Sequence, residues 1–307
     1  MQSTSQLLMI RPIRFGFNTQ TAMSNAFQDS SQSDIPEAIT QQNALAEFDL
    51  MVKQLRSLGV EITVIEDSPE PHTPDAIFPN NWVSFHDNGT VILYPMQAKN
   101  RRLERRNDII EQLENRFYVN QTIDLSYFEA EDKFLEGTGS MVLDRQNKVA
   151  YACVSPRTNR DVLAVFGQKM NYKIIAFEAH DNAHKQIYHT NVLMCIGEMF
   201  AVICLDAITS LNEKQLVRQS LETSGKRIVE ISHAQMNRFA GNMLQIKTKA
   251  DTKLLVMSSQ AFDSLEVSQK RILGEYCTII HSNLQTIETN GGGSARCMMA
   301  EIHLPQK

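Results

Sequence analysis

The sequence predicts an α/β fold with an internal structural repeat, and three observations support this prediction. The apolar segments are short, rich in β-branched residues and bounded by Gly, Asn, Asp or Pro, which is typical of strands. Segments with helical periodicity lie between them. Two or three strands are followed by one helix about five times, roughly every 50 to 65 residues. We therefore predict one α/β domain over residues 1–307 with pseudo-repeats, and a doubly wound sheet is the alternative.

The predicted helices are identified by apolar residues that recur on one face. In Asn43–Leu58 this face consists of Leu45, Phe48, Met51, Val52, Leu55 and Leu58, and Gly59 ends the helix. A later helix is predicted to begin with Asn212 as its cap. The other predicted helices are Arg101–Phe117, Arg160–Met170, Asn212–Ser224 and Ser264–Tyr276.

Three further segments are assigned from their apolar pattern. Val192–Ile208 is the longest apolar stretch, but Gly197 and Glu198 interrupt it, so we predict two strands joined by a turn. A membrane span would need about 20 consecutive apolar residues. Phe27–Ile39 is predicted to be a mobile loop. Met298–Leu304 is predicted to be the last strand.

The composition is that of an average globular protein, with 42% hydrophobic and 21% charged residues and a formal charge of −5. This charge gives no reason to expect nucleic acid as a partner, because the basic run 99–106 is short. The N-terminal residues show no secretory signal, and the five cysteines lack CxxC or metal-ligand spacing. A cytoplasmic location is therefore expected. Four cysteines lie in apolar runs and are expected to be buried: Cys153, Cys195, Cys204 and Cys277.

Four polar segments interrupt the apolar pattern and are candidates for a functional site. They are "TPDAIFPNNWVSFHDNG" (73–89), "FLEGTGSMVLD" (134–144), "YHTNVLMCIG" (188–197) and "NGGGSARCMMAEIHLP" (290–305). The last places Cys297 four residues after three consecutive glycines. A cysteine nucleophile needs a base or proton donor, which in turn needs an orienting group, and His189 and Glu136 are of these types. Residue types alone leave structural roles open for all three.

Together and in this order, the four segments resemble those of the guanidine-modifying enzyme superfamily, which includes arginine deiminases, dimethylarginine dimethylaminohydrolases and amidinotransferases. The resemblance is greatest to an arginine-deiminase-related branch with citrulline-utilisation hydrolases. It spans Asp75 to Pro305, and Met9–Phe17 resembles the first strand of the family. The implied fold is a five-bladed α/β propeller (the pentein fold) of ββαβ units.

The resemblance also implies a role for each matching residue. Cys297 would be the covalent nucleophile, His189 would protonate the leaving group and later activate water, and Glu136 would orient the histidine or hold the substrate. The glycines before Cys297 would let the backbone approach the sulfur and the substrate closely. The implied substrate-binding residues are Asp75, Asn81, Asn191, Arg157, Arg101 and Arg102.

Two of these positions depart from arginine deiminases, which have aspartates where this chain has Asn81 and Asn191. A carboxylate holds a cation through charge-assisted hydrogen bonds, whereas an amide offers both a donor and an acceptor. The substitution therefore favours a neutral ureido group, as in citrulline, over a guanidinium. Asn80 lies beside Asn81 and leaves the alignment of this position open.

The sequence leaves other functions open. An amidinotransferase shares the first half-reaction, and a binding protein could keep the fold without the chemistry. A cysteine protease is disfavoured because no protease motif surrounds Cys297. Arg296 could stabilise the thiolate or bind a carboxylate. We predict no cofactor or metal, a small-molecule substrate and no membrane partner, and we leave a homodimer open.

Overall fold

The computed structural model describes residues 1–22, 25, 27–29 and 36–307. Within this part of the chain, the strands form five separate three-stranded sheets, so the alternative of one doubly wound sheet is wrong. The strands are β1 (Gln6–Arg11), β2 (Glu61–Glu66), β3 (Val83–Phe85), β4 (Thr90–Leu93), β5 (Gln121–Asp124), β6 (Val142–Asp144), β7 (Val149–Cys153), β8 (Lys173–Phe177), β9 (Met194–Ile196), β10 (Phe200–Ile203), β11 (Arg227–Glu230), β12 (Leu244–Lys247), β13 (Lys253–Ser258), β14 (Thr278–Ser282) and β15 (Ala300–Glu301).

Helices connect these strands. The α-helices are α1 (Glu37–Ser57), α2 (Asn107–Glu114), α3 (Gly137–Ser140), α4 (Arg160–Met170), α5 (Thr190–Leu193), α6 (Leu211–Thr223), α7 (His233–Met236), α8 (Ser259–Ser264), α9 (Val267–Gly274) and α10 (Gln285–Gly291). Every sheet repeats one pattern: its middle strand pairs antiparallel with one neighbour and parallel with the other. The parallel pair needs a crossover, which always contains a helix. The five sheets are therefore consistent with the predicted ββαβ pseudo-repeats.

One sheet joins the two ends of the chain. Strand β1 pairs in parallel with β2 and antiparallel with β15, where Leu8 lies opposite Ala300. Strands of different sheets also approach one another: β15 lies beside β3, β6 beside β9, and β9 beside β12. Each of these five is the strand that pairs antiparallel with the middle strand of its own sheet.

The helix predictions are confirmed in position and corrected at their ends. Arg160–Met170 is α4 as predicted, whereas α1 begins at Glu37, inside the predicted loop. Residues 30–35 of that loop lie outside the described residues. The cap of α6 is Ser210, whose hydroxyl accepts from Glu213 N, so the assignment of Asn212 as the cap is wrong.

Two predicted helices are each divided in the structure. Arg101–Phe117 becomes a 3₁₀-helix (Asn100–Glu104) followed by α2, and Ser264–Tyr276 becomes α8 and α9, separated at Leu265 and Glu266. In the second case the Glu266 side chain caps α9, so the chain must leave helical geometry there. The predicted last strand is reduced to β15, because the turn that carries Cys297 extends through Met298.

The apolar residues pack into buried clusters between sheets and helices, as the helical and strand periodicities predict. Helix α1, for example, buries Phe48, Met51 and Leu55 but leaves Leu58, beyond its end, exposed. All five cysteines are free and buried, which confirms the expectation for the four in apolar runs. Among the described residues, none of the helices combines the length and apolar character that crossing a membrane requires.

The fold places polar residues at equivalent points of the five repeats. In each unit a short turn or helix directly precedes the strand that lies next to a neighbouring sheet. Asn81 precedes β3, Glu136 precedes β6, His189 precedes β9, Asn242 precedes β12 and Cys297 precedes β15. Residues far apart in the sequence are therefore brought together at one end of these strands.

Candidate active site

A small cavity lies where these strand ends meet. It is lined by Asn25, Asp75, Phe78, Asn81, Arg101, Arg157, Tyr188, His189, Gly291, Gly292, Gly293 and Cys297. The sequence-predicted residues Asp75, Asn81, Arg101, Arg157, His189 and Cys297 are thus brought together in one place. Most of the lining groups are polar and buried, and buried polar groups that converge on a cavity make it a candidate functional site.

His189 and Glu136 form a buried pair at the edge of the cavity. The histidine Nε2 lies 2.8 Å from the Glu136 Oε2 oxygen, and both side chains are almost fully buried. Burial alone would raise the pKa of Glu136, but Arg157 and the hydrogen bond with His189 hold it well below its usual range. Because this carboxylate can only accept, Nε2 carries the hydrogen and the lone pair of the neutral imidazole is on Nδ1.

The protonation of His189 follows from its surroundings. Burial lowers the pKa of His189 to about 4, against the opposing effect of Glu136. The imidazole is therefore neutral at pH 7 in the unliganded site, ready to accept a proton on Nδ1 and to pass it on. Glu136 also accepts from the Gln97 backbone N–H at 3.0 Å, which fixes the carboxylate in turn.

The sulfur of Cys297 lies between two amide side chains. The Nδ2 atoms of Asn191 and Asn242 each donate to Sγ at 3.3 Å. The turn that carries the cysteine is closed by the Cys297 N–H, which donates to Ser294 O at 2.9 Å. Two amide N–H groups from different segments thus converge on one sulfur, an arrangement that could hold a nucleophilic cysteine in position.

Asn81 presents its amide to the cavity in a fixed orientation. Arg101 donates from Nη1 to Asn81 Oδ1 at 2.8 Å, and a guanidinium has only donors. The oxygen of the amide must therefore face Arg101, and the Nδ2 group is left buried without a partner in the described part of the chain. Asn80, in contrast, does not line the cavity, although its side chain is also buried and unpaired.

Two carboxyl or amide oxygens at the site are unpaired among the described residues, namely Asp75 Oδ1 and Asn191 Oδ1. The other oxygen of Asp75 accepts from Asn18 Nδ2 at 2.7 Å. Burial raises the pKa of Asp75 even though Arg101, 3.7 Å away, opposes the shift. Asp75 is therefore protonated more readily than an exposed aspartate would be.

The four arginines considered from the sequence have different positions. Arg101 and Arg157 line the cavity, but Arg101 is already held by Glu104 through two contacts of 2.9 Å. Arg157 stacks on the Tyr188 ring at 4.7 Å, with Nη1 3.5 Å from Glu136.

The other two arginines point away from the cavity. Arg102 donates to Met96 O and contacts Glu129, and Arg296 forms an ion pair with Glu301 at 2.9 Å. Neither lines the cavity. The side chain of Arg296 is therefore placed to stabilise the fold around the cysteine turn.

The glycine run before Cys297 ends α10 and forms one wall of the cavity. Gly292 ends the helix in the left-handed region with φ of +64°, which favours glycine. A Cβ there would lie 2.4 Å from Asn25 Nδ2. Asn25 donates to Gly291 O at 3.1 Å, so the glycines also let a segment from the first repeat approach the site closely.

Gly139 also lets side chains of the site approach the backbone closely, and this leads to a testable prediction. A Cβ at this position would lie 2.4 Å from Asn81 Nδ2 and 2.9 Å from His189 Nδ1. We expect Gly139→Ala to displace both side chains, to lower kcat/KM by about 100-fold, and to cost about 1–3 kcal/mol of stability. Steady-state kinetics and denaturant unfolding measure the two effects.

The control for this substitution is Gly274→Ala at the end of α9, where a Cβ would meet nothing within 4 Å. This variant should keep full activity and near-normal stability. Equal activity of the Gly139→Ala and Gly274→Ala enzymes would contradict the assigned packing of Gly139 against Asn81 and His189.

Sequence reasoning missed Asn242, which touches the sulfur, and Asn25, Phe78 and Tyr188, which line the cavity. Asn242 could have been found because, like Asn81, Glu136, His189 and Cys297, it lies just ahead of a strand. No group of three or more His, Cys, Asp or Glu side chains within the described ranges is arranged to hold a metal ion.

Comparisons with known proteins place this geometry in context. The sequence model of the family described as N,N dimethylarginine dimethylhydrolase, eukaryotic, matches residues 11–304. No curated protein matches the sequence. Solved structures with a similar fold include ArgZ, an arginine dihydrolase from the ornithine-ammonia cycle in Cyanobacteria, with a TM-score of 0.77 and 15% identity over 98% of this chain. This chain spans 41% of that ArgZ chain.

Two other solved structures cover the compared chains almost completely. The substrate-bound N-terminal domain of ArgZ, a cysteine-to-serine mutant, has a TM-score of 0.76 at 15% identity and 98% coverage of both chains. DDAH from Pseudomonas aeruginosa, a cysteine-to-serine mutant complexed with citrulline, has a TM-score of 0.65 at 15% identity, with 98% of this chain and 100% of that chain covered. The fold of this chain is therefore shared by enzymes that act on guanidino compounds.

Proposed function

Because the chain belongs to the eukaryotic-type N,N-dimethylarginine dimethylhydrolase family, within the guanidine-modifying hydrolases, we propose that it cleaves a C–N bond of a ureido amino acid such as citrulline. The family is one of hydrolases that act on non-peptide C–N bonds. The choice of a neutral ureido group over a guanidinium rests on the orientation of Asn81.

Asn81 carries the argument for a neutral substrate. Arg101 accounts for its oxygen, so the amide offers only N–H donors to the cavity. A ureido oxygen can accept from this group, whereas a guanidinium has donors only and would leave it unpaired. The ureido NH2 has acceptors in Asp75 Oδ1 and Asn191 Oδ1, both unpaired in the described chain.

In the proposed reaction, the thiolate of Cys297 attacks the ureido carbon and the C–N bond to the departing nitrogen breaks. His189 accepts the thiol proton on Nδ1 and passes it to that nitrogen, while Glu136 stabilises the imidazolium that forms between these steps. Water then attacks the thiol adduct, with His189 as base, which regenerates the cysteine and releases a carbamic acid that loses carbon dioxide to free the second nitrogen. Citrulline and one water would yield ornithine, carbon dioxide and ammonia, which balances all atoms.

The relatives support both the reaction type and the main competitor. DDAH from Pseudomonas aeruginosa holds citrulline, and ArgZ is an arginine dihydrolase. Ureido and guanidino compounds are thus both ligands of this fold. Arginine and N-methylated arginines therefore have to be compared with citrulline directly.

We also infer that residues 1–307 form one catalytic domain and that its five sheets are the blades of a propeller. The approach of β15 to β3, β6 to β9 and β9 to β12 supports a ring around a common axis. The pairing of β15 with β1 supports closure of that ring between the two chain ends.

Substrate and mechanism are tested together by a panel of citrulline, arginine, N-methylated arginines, agmatine and ureido acids. Ammonia and amine products are measured for the parent and for Cys297→Ser. We expect citrulline to be the best substrate and the variant to lose at least about 1,000-fold in turnover, because a serine hydroxyl is a far weaker nucleophile than a thiolate. Turnover of arginine alone would contradict the ureido proposal, and full activity of the variant would contradict the thiol mechanism.

A further inference from the structure

Asn242 is a fully buried residue that directly precedes β12 and touches the sulfur of Cys297. We propose that Asn242 is a catalytic residue that stabilises the thiolate of Cys297 and holds it in position for attack. This inference rests on the proposed role of Cys297 as the nucleophile and extends it to a residue on a different repeat.

The orientation of the Asn242 amide is fixed by the backbone. The N–H of Arg296 donates to Asn242 Oδ1 at 3.0 Å, and a backbone N–H can only donate. The Nδ2 group must therefore point the other way. There it donates to Sγ at 3.3 Å and to Asn191 O at 3.0 Å.

These contacts give the sulfur two N–H donors from different repeats. Asn191 supplies the second donor, also at 3.3 Å. Hydrogen bonds to an ionised acceptor are about twice as strong as those to a neutral one, so both donors favour S⁻ over S–H. The alternative contact, from the protonated thiol to Asn242 Oδ1, is longer at 3.7 Å.

The position of Asn242 is determined by close packing of the backbone. A Cβ on the preceding residue, Gly241, would lie 2.2 Å from Val192 O and 2.7 Å from Leu193 C. The chain ahead of β12 therefore lies directly against the end of α5, which carries Asn191. The Asn242 side chain thus links the repeat of β9, which bears Asn191, to the turn that bears Cys297.

A purely structural role has to be distinguished from a catalytic one, because Asn242 also bonds to two backbone groups. Loss of those bonds alone would lower stability without changing the reactivity of the sulfur. The reactivity of Cys297 is therefore the deciding quantity. It is measured by the rate of alkylation with iodoacetamide across a pH series, with the modified peptide identified by mass spectrometry.

The test compares the parent with Asn242→Ser and Asn242→Asp. The serine variant removes the Nδ2 donor without adding a charge, and the aspartate variant has a similar shape but places an acceptor beside the sulfur. We expect the midpoint of the alkylation profile to move to higher pH by about one unit for the serine variant and further for the aspartate variant. At neutral pH, both should lose about tenfold or more in alkylation rate and kcat/KM.

The matched control is Gln245→Glu. Gln245 lies in β12, is also buried, and accepts from Glu198 N at 2.7 Å. Its side chain does not contact the sulfur of Cys297. The same change from amide to carboxylate there should lower the unfolding temperature without moving the alkylation midpoint. Thermal unfolding identifies variants that do not fold. If Asn242→Asp does not fold, the comparison is made between the parent and Asn242→Ser alone.

Unchanged midpoints in a folded Asn242 variant, with only the unfolding temperature lowered, would overturn the proposal and leave Asn242 a structural residue. Because alkylation needs no substrate, its outcome does not depend on whether citrulline is turned over. A failed substrate panel with a shifted midpoint would overturn the ureido proposal and leave this inference in place.

Discussion

Replacing Glu136 with glutamine is expected to lower turnover by about 1,000-fold. The carboxylate accepts from His189 Nε2, and this contact sets the tautomer that leaves Nδ1 free to move a proton. A glutamine amide can present either its oxygen or its N–H2 to the ring, so the tautomer is no longer fixed. It also cannot stabilise the imidazolium that forms during the reaction.

The same substitution should cost about 3 kcal/mol of stability, because it removes a buried negative charge that lies 3.5 Å from the buried Arg157 guanidinium. Steady-state kinetics and denaturant unfolding separate the two effects. Glu129→Gln is the matched control, since Glu129 forms ion pairs with Arg102 and Arg105 outside the cavity. It should lose stability and keep turnover. Equal losses of turnover in the two variants would show that Glu136 acts through stability alone.

Replacing Asn81 with aspartate is expected to reverse the substrate preference. Arg101 would hold one carboxylate oxygen, and the other would take the place of Nδ2 in the cavity. That oxygen repels a ureido oxygen and accepts from a guanidinium. We expect kcat/KM for citrulline to fall by about 100-fold and the rate with arginine to rise.

The measurement is the ratio of kcat/KM for citrulline to that for arginine, in the parent and the variant. Asn80→Asp is the control, because Asn80 is the adjacent residue, equally buried, and does not line the cavity. Its ratio should stay close to that of the parent. If Asn81→Asp leaves the ratio unchanged, Asn81 does not select the substrate.

The sequence was sufficient to predict the strand and helix alternation, and its resemblance to the guanidine-modifying enzymes predicted that Glu136, His189 and Cys297 share one site. Each of these residues lies in a polar segment just ahead of an apolar strand, and this local pattern is readable without a structure. The ends of elements were less predictable, because capping depends on side-chain contacts. Ser210 rather than Asn212 caps α6 for this reason.

The direction in which each side chain points could not be predicted from the sequence. Arg101 and Arg102 are neighbours, yet they lie on a 3₁₀-helix, whose successive residues point about 120° apart. One therefore enters the cavity and the other bonds to Met96 O. Asn242 was missed because its contact with Cys297 joins residues 55 apart in the chain.

The pairing of β1 with β15 links the order of folding to the proposed active site. Leu8 and Ala300 are far apart in the sequence, and contacts of such long sequence separation form slowly. The turn with Cys297 lies just ahead of that last strand. Until β15 pairs with β1, Glu136 and His189 therefore have no sulfur held beside them. Formation of this strand pair is the step that brings the proposed nucleophile into place, so we expect a thiol of the proposed reactivity only in fully folded molecules.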